Sequence, residues 1–158
     1  MSEFETAEAA VQAALDAGAS YADARMMHRR YESMTARNGE IEDLSQDEDL
    51  GIGVRALVGS GWGFYAAPDL SDAAARNVGE EAAQIAHASA RVAARQTELM
   101  PGEVASGSWS SDCQIDPLGI SLADKGNLLA GATGTMREHG ADIAEGLYQI
   151  WDTRKWFV

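Results

Sequence analysis

A chain of 158 residues, 46% hydrophobic and 23% charged, has the composition of one globular domain with enough chain to bury a core. Its formal net charge of −13 repels phosphate backbones and anionic bilayers, which argues against nucleic acid and membrane as partners. A single cysteine, Cys113, excludes an intrachain disulfide and a cysteine-based zinc cage; the acidic, amphipathic N-terminus lacks the pattern of a signal peptide, so a cytoplasmic protein is expected.

Residues 3–17 carry Phe4, Ala7, Val11, Ala14 and Leu15 at helical spacing, with Glu3 and Glu5 early, where the helix dipole favours acids, and Gly18 as a stop. From 21 to 67, apolar and polar residues alternate between turn residues, the pattern of an antiparallel meander. Strands are predicted over about 21–30 and 31–37, which could equally form one long bent strand, and then over 40–46, 50–58 and 62–67. Asn38-Gly39 is a strong two-residue hairpin signal. Gln46-Asp47-Glu48-Asp49 reads as an acidic turn and Gly59-Ser60-Gly61 as a tight one, while Gly51, Gly53, Gly61 and Gly63 mark bulges or close backbone approach.

Ser71 is the expected N-cap of a helix running to about Gln96, with Val78, Ala82, Ile85, Ala88 and Val92 as its buried stripe. Between 97 and 120, Pro101-Gly102 signals a turn, Ser106 to Ser111 is serine-rich, and Trp109 and Ile115 are placed on a short edge strand. A third helix is predicted over 121–138, resting on Leu122, Leu128, Leu129 and Met136 and weakened by Gly126, Gly131 and Gly134. The last segment, 141–158, reads as a hairpin turning at Asp152-Thr153, with Ile143, Leu147 and Trp151 on one face and Tyr148 and Ile150 on the other. The fold class is therefore α+β, an antiparallel meander packed with about three helices in a single domain over 1–158. Because the chain stops inside the apolar run Trp156-Phe157-Val158, a longer parent chain is expected.

Little of this carries catalytic chemistry. His28, His87 and His139 are far apart in sequence and lack the spacing that sets two ligands on one helix face, so no metal site is expected from them. Acidic surroundings disfavour a Cys113 thiolate, and a passive thiol is expected. Gly51-Ile52-Gly53-Val54 lies within a strand pattern, unlike a phosphate-binding loop. Arg25, Arg29, Arg30, Arg37 and Arg55 are expected to pair across strands with Glu32, Glu40, Glu42 and Asp43, with Trp62, Phe64 and Tyr65 packing in the core or at an edge. An open sheet edge could also take up an extended peptide as an added strand, and Arg37, Asn38, Gly39, Arg55, Trp62 and Phe64 are the candidate residues for that role.

Four strings occur in a telling order: Tyr21-Ala22-Asp23-Ala24-Arg25, Arg37-Asn38-Gly39-Glu40-Ile41-Glu42, Gly51-Ile52-Gly53-Val54-Arg55-Ala56-Leu57-Val58 and Gly61-Trp62-Gly63-Phe64. With the preceding Gly18-Ala19-Ser20 and the later Asp69-Leu70-Ser71, this set resembles the N-terminal domain of the TldD/PmbA family, well over about 8–95 and more loosely beyond. The resemblance implies a subunit of a zinc metallopeptidase, dimeric with itself or a sister subunit, that trims unfolded peptides, including modified peptide antibiotics and toxin–antitoxin components. An older label for the family is modulator of DNA gyrase. The family's zinc is held by a His-Glu-x-x-x-His helix and a later cysteine in the second half of a longer chain. This sequence has no His-Glu pair, so no catalytic residue, metal ligand or cofactor site carries over, and Cys113 does not correspond to the metal-binding cysteine. The expected role is a substrate-chamber and dimerisation domain without its own active site; the alternative is a stand-alone peptide- or subunit-binding module.

Overall fold

Ser2 starts helix α1 (Glu3–Asp16) with a capping box: its hydroxyl accepts from the Glu5 N–H, and its own N–H donates to the Glu5 carboxylate. Those hydrogen bonds from Ser2 hold the Glu5 carboxyl below its ordinary pKa. The computed structural model, which describes residues 2–95, 97–100 and 107–158, continues with strands β1 (Tyr21–Arg37), β2 (Glu40–Val58) and β3 (Gly61–Ala67). Helix α2 (Asp72–Ala90), a 3-10 turn at Pro117–Gly119, helix α3 (Leu122–Glu138) and strand β4 (Glu145–Phe157) complete it. Ser71 and Ser121 cap α2 and α3 by accepting from the N–H groups of Ala74 and Asp124. The strands form one antiparallel sheet in the order β3-β2-β1-β4.

The hairpin between β1 and β2 turns at Asn38 and Gly39, both at positive φ (53° and 93°), as a type I′ turn demands. Several expectations need correction. Of the two readings of 21–37 the single strand forms, β1, whereas the strands predicted separately over 40–46 and 50–58 are one, β2. The acidic segment 46–49 does not turn, because β1 supplies partners for it: Gln46 donates to Glu32 at 2.7 Å, and Asp49 meets Arg29 at 3.6 Å. Nor does the C-terminal segment fold into a hairpin. Asp152 and Thr153 lie inside β4, where Asp152 accepts from the Arg30 guanidinium. Trp109 and Ile115 lie outside any strand and are exposed. Helix α2 ends at Ala90, short of the end predicted near Gln96, while the turn predicted at Pro101-Gly102 and Ser106 lie outside the described residues.

The chain divides into two compact units. Unit 1 comprises Met1–Arg29, Asp49–Glu103 and Thr153–Val158; unit 2 comprises Arg30–Glu48 and Val104–Asp152. In unit 1, Ala24 and Met26 of β1 and Ile52, Val54 and Ala56 of β2 are buried with the alanine faces of α1 and α2. The buried stripes differ from those read in the sequence. In α1 they are Thr6, Ala7, Ala10, Ala13 and Ala14, while Phe4 and Leu15 are exposed. In α2 they are Ala75, Val78, Gly79, Ala82, Ala83 and Ala86; Ile85 and Ala88 face outward, and Val92 lies exposed beyond the helix end. Small residues win these faces because backbone meets backbone there. A Cβ at Gly63 would stand 2.0 Å from the Ala82 carbonyl oxygen, and one at Gly79 2.1 Å from that of Ala10.

In unit 2, the face of α3 that meets the sheet is made by Lys125, Gly126 and Thr133. Leu128 and Met136, expected to be buried, are exposed, and Leu122 and Leu129 are half-buried. Gly126, which weakens the helix locally, is where Met34 and Ile41 come close. Thr133 accepts the Gly39 N–H at 3.0 Å, which ties the hairpin turn to the helix. On the exposed side of β4, Trp151 stacks on Tyr31 with ring centroids 5.5 Å apart.

The close approach at Gly63 predicts that Gly63→Ala forces α2 and β3 apart and costs about 2–3 kcal/mol, as overpacking does. Gly131→Ala, at an exposed helical position with open space around it, is expected to stabilise by up to about 1 kcal/mol. Urea denaturation of both variants checks the opposite signs.

Candidate functional site

Strand alternation gives unit 1 two unlike sheet faces. The even positions of β1 and β2 carry the core against α1 and α2. Arg25, Met27 and Arg29 of β1, Gly51 and Gly53 of β2, and Phe64 and Ala66 of β3 line a trough of about 590 Å³ that Pro68 closes at one end. The register sets its shape: Arg55 stands opposite Phe64 and Gly53 opposite Ala66. With no side chain at 51 and 53 the floor is low, and a Cβ at Gly53 would lie 3.1 Å from the Phe64 ring. Phe64 itself is 63% exposed.

The charges of the trough are mostly internal pairs. Arg55 donates from two nitrogens to one oxygen of Asp23, at 2.8 and 2.6 Å, and its guanidinium lies 5.0 Å from the centre of the Trp62 ring. Trp62 in turn meets Tyr21 edge to face. Burial, followed by the neighbouring Asp23, pushes the Tyr21 phenol up from its ordinary value. Arg29 faces Asp49 at 3.6 Å. Arg25 lies over the Phe157 ring, 5.4 Å from its centre, and has no carboxylate partner among the described residues.

The structure divides the six residues proposed for a peptide-holding edge. Arg55, Trp62 and Phe64 are in unit 1, the latter two on β3, an edge strand of the sheet. Arg37, Asn38 and Gly39 are in unit 2 and already engaged. Arg37 donates to Glu145 at 2.7 Å and lies 3.6 Å from Glu42. Asn38 exchanges hydrogen bonds with Ala144 through its N–H and Oδ1, and Gly39 binds Thr133. Of the expected arginine partners, Glu42 is met by Arg37; the arginines otherwise pair with Asp23, Asp49, Asp152 and Glu145, and Glu32 turns instead to a lysine. Sequence reading missed Arg25, Met27 and Gly51–Gly53 as one surface, although their shared parity across two strands was a usable signal.

Unit 2 holds a second cluster of perturbed groups. Glu32, on β1, accepts from Lys125 Nζ at 2.6 Å, Gln46 Nε2 at 2.7 Å and the Tyr148 hydroxyl at 2.9 Å. Burial raises the Glu32 pKa, but the three hydrogen bonds outweigh it and hold the carboxyl below its ordinary value. Burial, and then Glu32, pushes the Tyr148 phenol up to about 12. Perturbed groups often mark an active site. Here Lys125 and Glu32 are buried with every acceptor of the carboxylate occupied, the arrangement of a structural network.

No metal site is seen among the described residues of either unit. Among the described residues, no group of three His, Cys, Asp or Glu side chains converges as a cation would require. His87 Nε2 meets the Ala17 carbonyl at 3.0 Å, and His139 Nδ1 that of Thr135 at 2.9 Å. The donor set therefore does not fit zinc. Among the described residues, no helix is long and apolar enough to cross a membrane.

Residues 22–86, which contain every residue of the trough, match the family model described as PmbA/TldA metallopeptidase domain 1. Over that segment the chain is similar to the first domain of the PmbA/TldA metallopeptidases. Solved structures of similar fold include a candidate modulator of DNA gyrase from Thermotoga maritima (12% identity, TM-score 0.72, 98% of this chain and 34% of that one). Another candidate modulator of DNA gyrase, from Bacteroides thetaiotaomicron, gives 15% identity and a TM-score of 0.73 over 98% of this chain and 36% of that one. TldE from Thermococcus kodakarensis gives 12% and 0.69 over 97% and 34%. At such identities the likeness is one of fold, and the chain spans about a third of the length of each relative. No curated protein matches the sequence.

The Glu32 network yields a pH prediction. A carboxyl held low in the folded state binds fewer protons than in the unfolded chain, so its stabilisation is present above the unfolded value near 4.5 and is lost as pH falls through the lower folded value. Lys125→Met strands the buried carboxylate and is expected to cost about 3–5 kcal/mol at neutral pH. Adding Glu32→Gln should recover much of that loss and flatten the acid limb. Thermal melts across the acid range for the wild type and both variants test this.

Proposed function

We propose that this chain is the peptide-holding and subunit-associating part of a TldD/PmbA-type metallopeptidase acting on unfolded peptides, with the hydrolytic residues outside those described. The observation that carries the reading is the glycine-floored trough, lying wholly within the segment that matches the first domain of this family. Its volume suits one or two side chains of an extended segment rather than a folded surface. Phe64 and Ala66 in its lining belong to β3, an edge strand from which main-chain hydrogen bonds could hold peptides of varied sequence. The associated partner would be a second copy or a sister subunit.

A stand-alone binding module would use the same trough and differs only in lacking a hydrolytic partner. The gyrase designation of two structural relatives gains no support from this chain, whose charge of −13 opposes DNA.

A fluorescein-labelled unstructured peptide should bind this chain saturably, and Phe64→Ala should weaken binding about tenfold, or about 1.4 kcal/mol. Mass spectrometry of the peptide after incubation with zinc should show it intact. Absence of binding, or cleavage by this chain alone, overturns the reading.

A further inference from the structure

Among the described residues, Arg25 is the trough cation that no carboxylate meets. Arg55 is committed to Asp23 and to the Trp62 ring, and Arg29 faces Asp49. Among the described residues Arg25 meets the ring of Phe157, a weak interaction at an exposed site. A guanidinium is best satisfied by a carboxylate that accepts two parallel N–H bonds. Beside Arg25 the surface turns apolar: Met27, the bare backbone of Gly51 and Gly53, and the exposed ring of Phe64. Methionine adapts to side chains of different shape, and the missing Cβ atoms leave depth for a large one.

A carboxylate and a large apolar group at one-residue separation is the chemistry of a peptide's last residue. An internal residue of a peptide has no main-chain carboxylate, and an acidic side chain brings no apolar group of its own. Asp23 and Asp49 also line the trough, so a second acid entering with the first would be repelled.

We propose that the unit 1 trough captures the C-terminal residue of an unfolded peptide, with the terminal carboxylate on Arg25 and a large apolar side chain over Gly51 and Gly53 against Phe64. This rests on the peptide-handling reading above and names the class of peptide end that it selects. Charge complementarity decides the occupant: on a chain of net charge −13, the locally unbalanced arginine is what admits an anion.

The test uses three probes on the 158-residue chain: an unstructured peptide ending in phenylalanine with a free carboxylate, the same peptide as a C-terminal amide, and 3-phenylpropionate alone. The acid should bind about tenfold or more tightly than the amide, with affinity falling as salt rises. Arg25→Gln should erase the difference between acid and amide and Arg25→Lys should keep part of it, with melting temperatures unchanged because Arg25 is exposed. Equal binding of acid and amide, or discrimination that survives in Arg25→Gln, overturns carboxylate capture while leaving peptide holding intact. Phenylpropionate binding as tightly as the peptide overturns the peptide as occupant. Failure of every peptide to bind overturns both readings.

Discussion

Unit 1 is organised by contacts in which backbone touches backbone. Gly63 of β3 lies against the carbonyl of Ala82, and Gly79 of α2 against that of Ala10. Any side chain at these points would separate the elements, so α2 meets β3 and α1 largely through small residues. Alternation then dictates the rest. With Gly61 and Gly63 turned to the helix, Trp62 and Phe64 must stand on the opposite face. The same parity places Gly51 and Gly53 beneath Phe64 and leaves Ile52 and Val54 in the core. The trough is thus the outer side of the packing that holds the unit together, and a one-residue slip of β3 would destroy both.

Unit 2 solves a different problem. Its helix α3 is rich in glycine and carries its leucines outward or half-exposed, so apolar burial alone gives it little purchase. Polar groups take over: Lys125 reaches Glu32, Thr133 receives the N–H of the hairpin glycine, and Gly126 admits Met34 and Ile41. A buried ion pair gives little net stability over an apolar pair of the same volume, but it tolerates few alternative positions. Among the described residues, no buried side-chain nitrogen or oxygen lacks a hydrogen-bond partner, so the network is closed. Its perturbed groups follow from that closure.

The family segment and the trough coincide, which gives the peptide reading a physical basis beyond likeness of fold. The residues that line the trough come from three adjacent strands. Most of the charges there neutralise one another, which lowers the cost of placing an apolar group among them. On the peptide reading, discrimination would fall to Arg25, which no carboxylate meets among the described residues.

Much of the architecture was legible because its signals are local. Asn38-Gly39 announced the turn that their positive φ values require, Ser71 and Ser121 marked helix starts, and alternation marked β1 to β3. The ordered strings around these turns pointed to the family. What misled was also local: Gln46 to Asp49 and Asp152-Thr153 look like turns to anyone who cannot see their partners. Glu32 and Arg29 hold the first pair of ends extended, and Arg30 holds the second, each across the sheet. The alanine faces of α1 and α2 were illegible because alanine is as common on exposed helix surfaces as on buried ones; only the glycines opposite reveal which alanines are covered. By itself, then, the sequence determined the class of fold, the position of the hairpin and helix starts, and the likeness of residues 22–86 to a known first domain. Only the tertiary structure decided which strands were continuous, which carboxylate each paired arginine meets and that Arg25 meets none among the described residues, because those outcomes depend on residues brought together from distant parts of the chain.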